Sequence, residues 1–332
     1  MRSTWGLLMS VAADFLPPLW LRSGMVQTFL ASSTRRQKLG QAFEAEATRL
    51  DLPAGDGMRT SCYLNERANA KGLVILFHGW LGTPQSGYVV SAARRLFNAG
   101  FSIARMTLPD HGDAALMNAG IIDITRHDFL REAVRNLISQ RPDLPVGIMG
   151  FSLGGNFALR LARDLNDHPI RNLRHVIGIS PVIEPSDTCD MIDAYAFFRH
   201  YFLRKFTKLA RAKQALYPHL DTIDEVLAHR TIRGLTEVSV RRWTPFPDID
   251  SYFAGYRIRP GDFTDCPARV TLLSAQDDPI VRAIHAQNLP EDPGLERIFT
   301  RYGGHNGFFS VFPHVAFSED VAVNRFLASL LG

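Results

Sequence analysis

Six short apolar runs, each closing on a turn, set the tightest limit on what this 332-residue chain can fold into. They are "GLVILFHG" (Gly72–Gly79), "FSIARMTLP" (Phe101–Pro109), "PVGIMGFS" (Pro145–Ser152), "HVIGISPV" (His175–Val182), "RVTLLSAQ" (Arg269–Gln276) and "LERIFTRYG" (Leu295–Gly303). Each is a near-continuous apolar run rather than an alternation, the pattern of strands covered on both faces. Amphipathic helical patterns lie between them. In "RHDFLREAVRNLISQ" (Arg126–Gln140), Leu130, Val134, Leu137 and Ile138 share one face, and "VAFSEDVAVNRFLASLLG" closes the chain in the same style. Strands alternating with helices imply βαβ crossovers, so the expectation is an α/β fold with a mostly parallel central sheet flanked by helices.

One stretch breaks this rhythm. Residues 184–262 contain no convincing buried strand but many aromatic and basic side chains. In "MIDAYAFFRHYFLRKFTKLARAK", Ile192, Tyr195, Phe198, Phe202, Phe206 and Leu209 recur at helical spacing, with Arg199, Lys205 and Lys208 on the remaining surface. An insertion between late strands of a parallel sheet emerges at the edge where ligands bind. The predicted organisation is an N-terminal arm (1–50) packed on a core (51–183 and 263–332), with a helical lid inserted at 184–262.

A formal charge of +4 is too small to imply a nucleic-acid partner. Three widely spaced cysteines, Cys62, Cys189 and Cys266, suit a reducing compartment, and no Cys/His cluster suggests a metal. The apolar N-terminal run "WGLLMSVAADFLPPLWL" is interrupted by Asp14 and by Pro17-Pro18 before it reaches spanning length. A packed arm is expected over a cleaved signal, and the location expected is cytoplasmic.

The densest chemical signal is "GFSLGG", Gly150 to Gly155, which falls after a strand and before a helical pattern. That is the setting of a Gly-x-Ser-x-Gly nucleophile elbow. The sharp turn strains Ser152 and crowds its neighbours, and Gly150 and Gly154 relieve the crowding. The Leu153 N–H, at a helix N-terminus, is then a donor for a developing oxyanion. "FHGWLGT" supplies a second donor, the Trp80 N–H, through a loop that a glycine lets bend beneath the nucleophile. A serine needs a neutral imidazole to take its proton. His305 in "RYGGHNGFF" lies beyond the last strand and is the candidate base; His111 in "LPDHGD" is its rival, and His78 reads as a structural hydrogen-bonder. Chain order places the acid between Ser152 and His305, at Asp277 or Asp278. Alternation along a strand cannot choose between adjacent residues.

These motifs resemble those of the YheT-like (EMB8-type) branch of the α/β-hydrolase superfamily, over nearly the whole chain. "FLPPLWLRSGMVQTF" resembles that branch's N-terminal arm with its Gln-Thr pair, "GFSLGGN" its elbow, "AQDDP" its acid loop and "GGHNGF" its histidine loop. Met25, where the branch commonly has a histidine, and "FHGWLGT", in place of a more usual Leu-Glu-Gly, depart from it. The resemblance implies an α/β-hydrolase fold and places the acid on Asp278.

The expected function is therefore a serine hydrolase that cleaves carboxylic esters of short or medium acyl groups or lipids. It would act through an acyl-enzyme on Ser152, Asp278 and His305, with no metal or cofactor. Phe198 and Phe202 are candidate contacts for an apolar acyl chain. The expected partner is a small-molecule ester, not nucleic acid, and a peripheral membrane contact of the basic lid helix is the less favoured reading. The alternatives are an acyltransferase on the same three residues and a ligand-binding protein on a hydrolase scaffold.

Overall fold

The computed structural model describes residues 11–12, 15–119, 123–218, 220 and 223–331. Residues 5–10, 13 and 14 of the leading apolar run, Asp14 among them, lie outside these. Strand β1 (Val11–Ala12) is followed by three short helices, α1 (Gly24–Ala31), α2 (Thr34–Lys38) and α3 (Gln41–Ala45). Ser23 and Ser33 cap α1 and α2, each accepting the N–H of the third residue along. Strands β2 (Thr48–Pro53) and β3 (Arg59–Asn65) form an antiparallel pair. The alternating unit then begins: β4 (Leu73–Phe77), α4 (Gly87–Asn98), β5 (Ser102–Met106), the short α5 (Ala114–Met117), α6 (His127–Ser139), β6 (Val146–Phe151), α7 (Leu153–Arg163) and β7 (Leu173–Ile179).

Five helices follow with no strand among the described residues: α8 (Pro185–Ala194), α9 (Ala196–Leu216), α10 (Ile223–Leu227), α11 (Ile232–Trp243) and α12 (Ile249–Tyr256). The chain then resumes with β8 (Arg269–Ala275), α13 (Ile284–Gln287), β9 (Leu295–Thr300), the β10 (Phe309–Val311) and β11 (Val315–Ala316) hairpin, and α14 (Phe317–Leu330).

Among the described residues the main sheet has nine strands in the order β1-β9-β8-β7-β6-β4-β5-β3-β2. Only the β3–β5 and β2–β3 pairings are antiparallel. All six predicted apolar runs are strands of its parallel part, and β4, β5, β6 and β9 are buried along their whole length. The predicted face of α6 is correct, since Leu130, Val134, Leu137 and Ile138 are all buried. Each such side chain removed from water stabilises the fold by about 1.5–3 kcal/mol before entropy is counted.

Three strands of the main sheet, and the β10–β11 hairpin beside it, were not expected from the sequence. In β2 and β3 the charges of "TRLDLP" and the polar "RTS" hide a half-exposed antiparallel ladder. β1 has only two residues and joins the sheet by pairing in parallel with Ile298 and Phe299. The helix expected across Ile192–Leu209 is also two helices. Tyr195 breaks it with extended backbone angles (φ −103°, ψ 110°) and is 40% exposed, its ring edge-on to Phe198 at 5.8 Å. No described helix is long and apolar enough to cross a membrane.

Candidate active site

Ser152 follows β6 directly and caps the start of α7 with φ 55° and ψ −119°, a left-handed conformation that strains any residue with a β-carbon. The surrounding structure holds it there: its N–H donates to Ile179 O (2.9 Å), and its carbonyl accepts from the Asn156 (3.0 Å) and Val182 (3.3 Å) amides. The two flanking glycines are required by space. A methyl at Gly150 would overlap the carbonyl of Gly154, and one at Gly154 would overlap the carbonyl of His78.

Asp278 and His305 arrive from the far end of the chain. Asp278 Oδ1 accepts the N–H groups of Ile280 (2.8 Å) and Val281 (2.9 Å), which fixes the carboxylate as a turn at the end of β8. Its Oδ2 lies 2.8 Å from His305 Nδ1, and both residues are buried. An ionised carboxylate only accepts, so Nδ1 carries the proton and Nε2 is left as the ring's acceptor. Asp277 points elsewhere. Its Oδ1 accepts the Gly304 N–H (2.8 Å), and its Oδ2 is buried without a partner among the described residues. Burial first, then the charge of Asp278, raises the Asp277 carboxyl to about 6.

The N-terminal arm grips the histidine loop. The Thr28 hydroxyl donates to Gly24 O (2.7 Å) and accepts the His305 N–H (2.8 Å). The Gln27 amide donates to Phe309 O (3.2 Å) and Leu21 O (2.8 Å) and accepts the Phe309 N–H (2.8 Å). The fit is close enough that a methyl at Gly24 would overlap the carbonyl of Asp277, and one at Gly304 would overlap the carbonyl of Gly24. Sequence reasoning assigned no role to this pair; its one trace was the Gln-Thr feature of the arm. Met25, beside them, packs partly buried against the main core.

A cavity of about 490 Å³ brings Ser152, Leu153, Trp80 and His305 together. Phe198 and Phe202 line it as well; Phe198 is buried, and Phe202 stacks on Trp80 with ring centres 5.1 Å apart. The loop carrying Trp80 corrects one expectation. The positive φ needed for the bend falls on Leu81 (φ 53°), not on a glycine. Gly79 packs closely beneath the nucleophile, where a methyl would sit 3.2 Å from Ser152 Cβ, a tight contact. Tyr88 holds the turn by accepting the Gly79 N–H (3.0 Å), a contact the sequence did not signal.

His78, expected to be a structural hydrogen-bonder, and His111, the rival base, both bond backbone groups. His78 bonds Gly79 O through Nδ1 (2.8 Å) and accepts the Leu108 N–H at Nε2 (3.1 Å). His111 bonds Pro109 O (2.6 Å). Burial lowers His78 well below the usual imidazole range and His111 to about 4, so both stay neutral at pH 7. Among the described residues, no group of His, Cys, Asp or Glu is placed to hold a metal ion.

Comparison with known proteins agrees with this architecture. The chain is 18% identical to the human (Homo sapiens) Phospholipase ABHD3 over 330 residues, covering 97% of this chain and 80% of that protein. The Pyrococcus furiosus esterase Pf2001 superposes with a TM-score of 0.56 at 14% identity, covering 97% of this chain and 98% of that one. The 2,6-dihydroxy-pseudo-oxynicotine hydrolase superposes with a TM-score of 0.57 at 17% identity, covering 92% and 79%. Residues 74–322, most of the chain, match the Alpha/beta hydrolase family. With the parallel sheet and the strained serine at its edge, this match establishes that the chain belongs to the alpha/beta hydrolase family.

Proposed function

We propose that this hydrolase cleaves carboxylic esters through an acyl-enzyme on Ser152. The observation that carries the reading is the 2.8 Å contact between His305 Nδ1 and Asp278 Oδ2, in a residue pair whose histidine shares a cavity with the strained Ser152. His305 Nε2 removes the Ser152 proton as Oγ attacks the acyl carbonyl. The Leu153 and Trp80 N–H groups hold the oxyanion, the protonated imidazole returns its proton to the departing alcohol, and Asp278 stabilises the imidazolium. Water, activated by the same imidazole, then releases the acid.

Helices α8–α12 form the lid, and Phe198, Phe202 and Trp80 make the apolar wall that suits an acyl chain. The similarity to a protein named a phospholipase and to an esterase supports an ester with an apolar acyl group. The arm, with its Gln-Thr pair on the histidine loop, favours the YheT-like branch within the family. The test is a graded series of p-nitrophenyl esters, run beside Ser152→Ala and fluorophosphonate labelling. Wild type is expected to label and to cleave at least the short or medium esters, and Ser152→Ala to do neither. Activity retained by Ser152→Ala would overturn the assignment.

A further inference from the structure

The cavity is unevenly charged. Among the described residues its lining includes no carboxylate, and apart from His305 its one ionisable basic side chain is Lys205. Lys205 Nζ donates to Leu81 O (3.0 Å), one residue past the Trp80 amide, and lies over the Tyr201 ring at 4.9 Å. An ammonium has three N–H donors, so one carbonyl and one ring face leave it able to bind a further acceptor. Its charge also adds to the burial that keeps His78 and His111 neutral.

The helix that carries it points the same way. Across its 21 residues, α9 holds Arg199, Arg204, Lys205, Lys208, Arg211 and Lys213 and no acid. That is +6 on one helix against +4 for the chain, so everything outside α9 sums to −2. Arg211 is paired with Asp224 (2.6 Å) and Lys213 with Asp110 (2.7 Å). Among the described residues, Arg204, Lys205 and Lys208 have no carboxylate within 4.0 Å. Arg204 and Lys208 are exposed and lie outside the cavity lining, so α9 surrounds the cleft with positive potential, which concentrates anionic ligands, while Lys205 alone reaches inside.

From these two observations we infer that the hydrolase takes esters bearing an anionic group, a carboxylate or a phosphate, which Lys205 Nζ binds while the acyl carbonyl sits at Ser152. This rests on the ester-hydrolase reading and narrows it. The apolar part of the substrate lies against the apolar lining of the same cavity, Phe198 and Phe202 together with Ile192 and Ile232. The free ester, not a membrane surface, is the ligand.

Two matched pairs test this. p-Nitrophenyl hexanoate and mono-p-nitrophenyl adipate differ by a terminal carboxylate on the acyl half. p-Nitrophenyl hexanoate and the hexanoyl ester of a hydroxy-nitrobenzoate place the charge on the alcohol half. In one pair at least, wild type should favour the anionic member about tenfold in kcat/KM at low salt, the size of one charge-assisted hydrogen bond. Lys205→Met should reduce that ratio about tenfold, Lys205→Arg should keep most of it, and added salt should compress it. The inference is overturned if wild type favours the neutral ester in both pairs, if the ratio survives Lys205→Met, or if anion preference appears only when the ester is presented in anionic vesicles. Ser152-dependent cleavage of neutral esters without anion preference sinks this inference alone. No cleavage of any ester and no labelling of Ser152 sinks the hydrolase reading beneath it.

Discussion

The backbone N–H of His305 donates to Thr28 Oγ1 at 2.8 Å, joining residues 277 positions apart. The bond fixes the backbone of the candidate base, not its ring, so its loss should disturb the aim of the imidazole more than substrate binding. Thr28→Val, which keeps the shape and leaves the buried His305 N–H unpaired, is expected to lower kcat about tenfold with KM changed less than about threefold. Thr28→Ser should restore most of the rate. Steady-state kinetics of the three forms, with thermal melts to confirm folding, decide this; equal losses in Thr28→Val and Thr28→Ser would assign the residue to packing.

The neighbouring aspartates should separate cleanly. Asp278→Asn removes the acceptor that selects the His305 tautomer and should cost roughly a thousandfold or more in kcat. Asp277→Asn keeps an oxygen for the Gly304 amide and should stay within about fivefold of wild type. A larger loss from Asp277→Asn would reverse the roles.

Asp277 should also mark the stability profile. Its carboxyl, raised from 3.8 to about 6, favours folding in its protonated form. That contribution is complete below about pH 4 and is lost as pH rises through about 6. Asp277→Asn stays neutral throughout, so its melting temperature should exceed that of wild type at pH 8 and converge with it toward pH 4. Parallel melting curves across that range would show that the buried charge has no effect.

Adding one methyl at two glycines should separate catalysis from assembly. Gly154→Ala drives a β-carbon into the His78 carbonyl beneath the elbow and should abolish fluorophosphonate labelling of Ser152. Gly24→Ala forces α1 off the Asp277 carbonyl and should destabilise by about 1–3 kcal/mol, read as a lower melting temperature.

Phe202, stacked on Trp80, is expected to set acyl-chain preference. Phe202→Ala should raise KM for hexanoate and longer p-nitrophenyl esters by about fivefold or more and leave acetate nearly unchanged. A uniform change across the series would place Phe202 outside the acyl path.

The parallel part of the sheet was legible because strands buried on both faces show as unbroken apolar runs, and "GFSLGG" was legible because the elbow has room only for glycine on either side of Ser152. β2 and β3 were hidden by being half exposed. In β2, Leu50 and Leu52 alternate with Arg49 and Asp51, and in β3 the buried Cys62 and Leu64 lie among Thr60, Ser61 and Asn65, polar residues that dilute the signal. The break at Tyr195 left no proline or glycine to announce it. The choice between Asp277 and Asp278 turned on which carboxylate meets the His305 ring, 27 positions away, and the role of Thr28 on a contact with the other end of the chain. Neither is a property of local sequence.

The grip of Gln27 on Phe309 has a consequence for synthesis. The two residues are 282 positions apart, so a chain emerging from the ribosome carries Gln27 long before Phe309 exists. Ser152 and its elbow also emerge well ahead of His305. A nascent chain therefore holds the proposed nucleophile without its proposed base, and the candidate site assembles only once the last strands reach back to the arm. Such long-range closure is slow to form. On the proposed function, it would keep the growing polypeptide inert until its first and last segments meet.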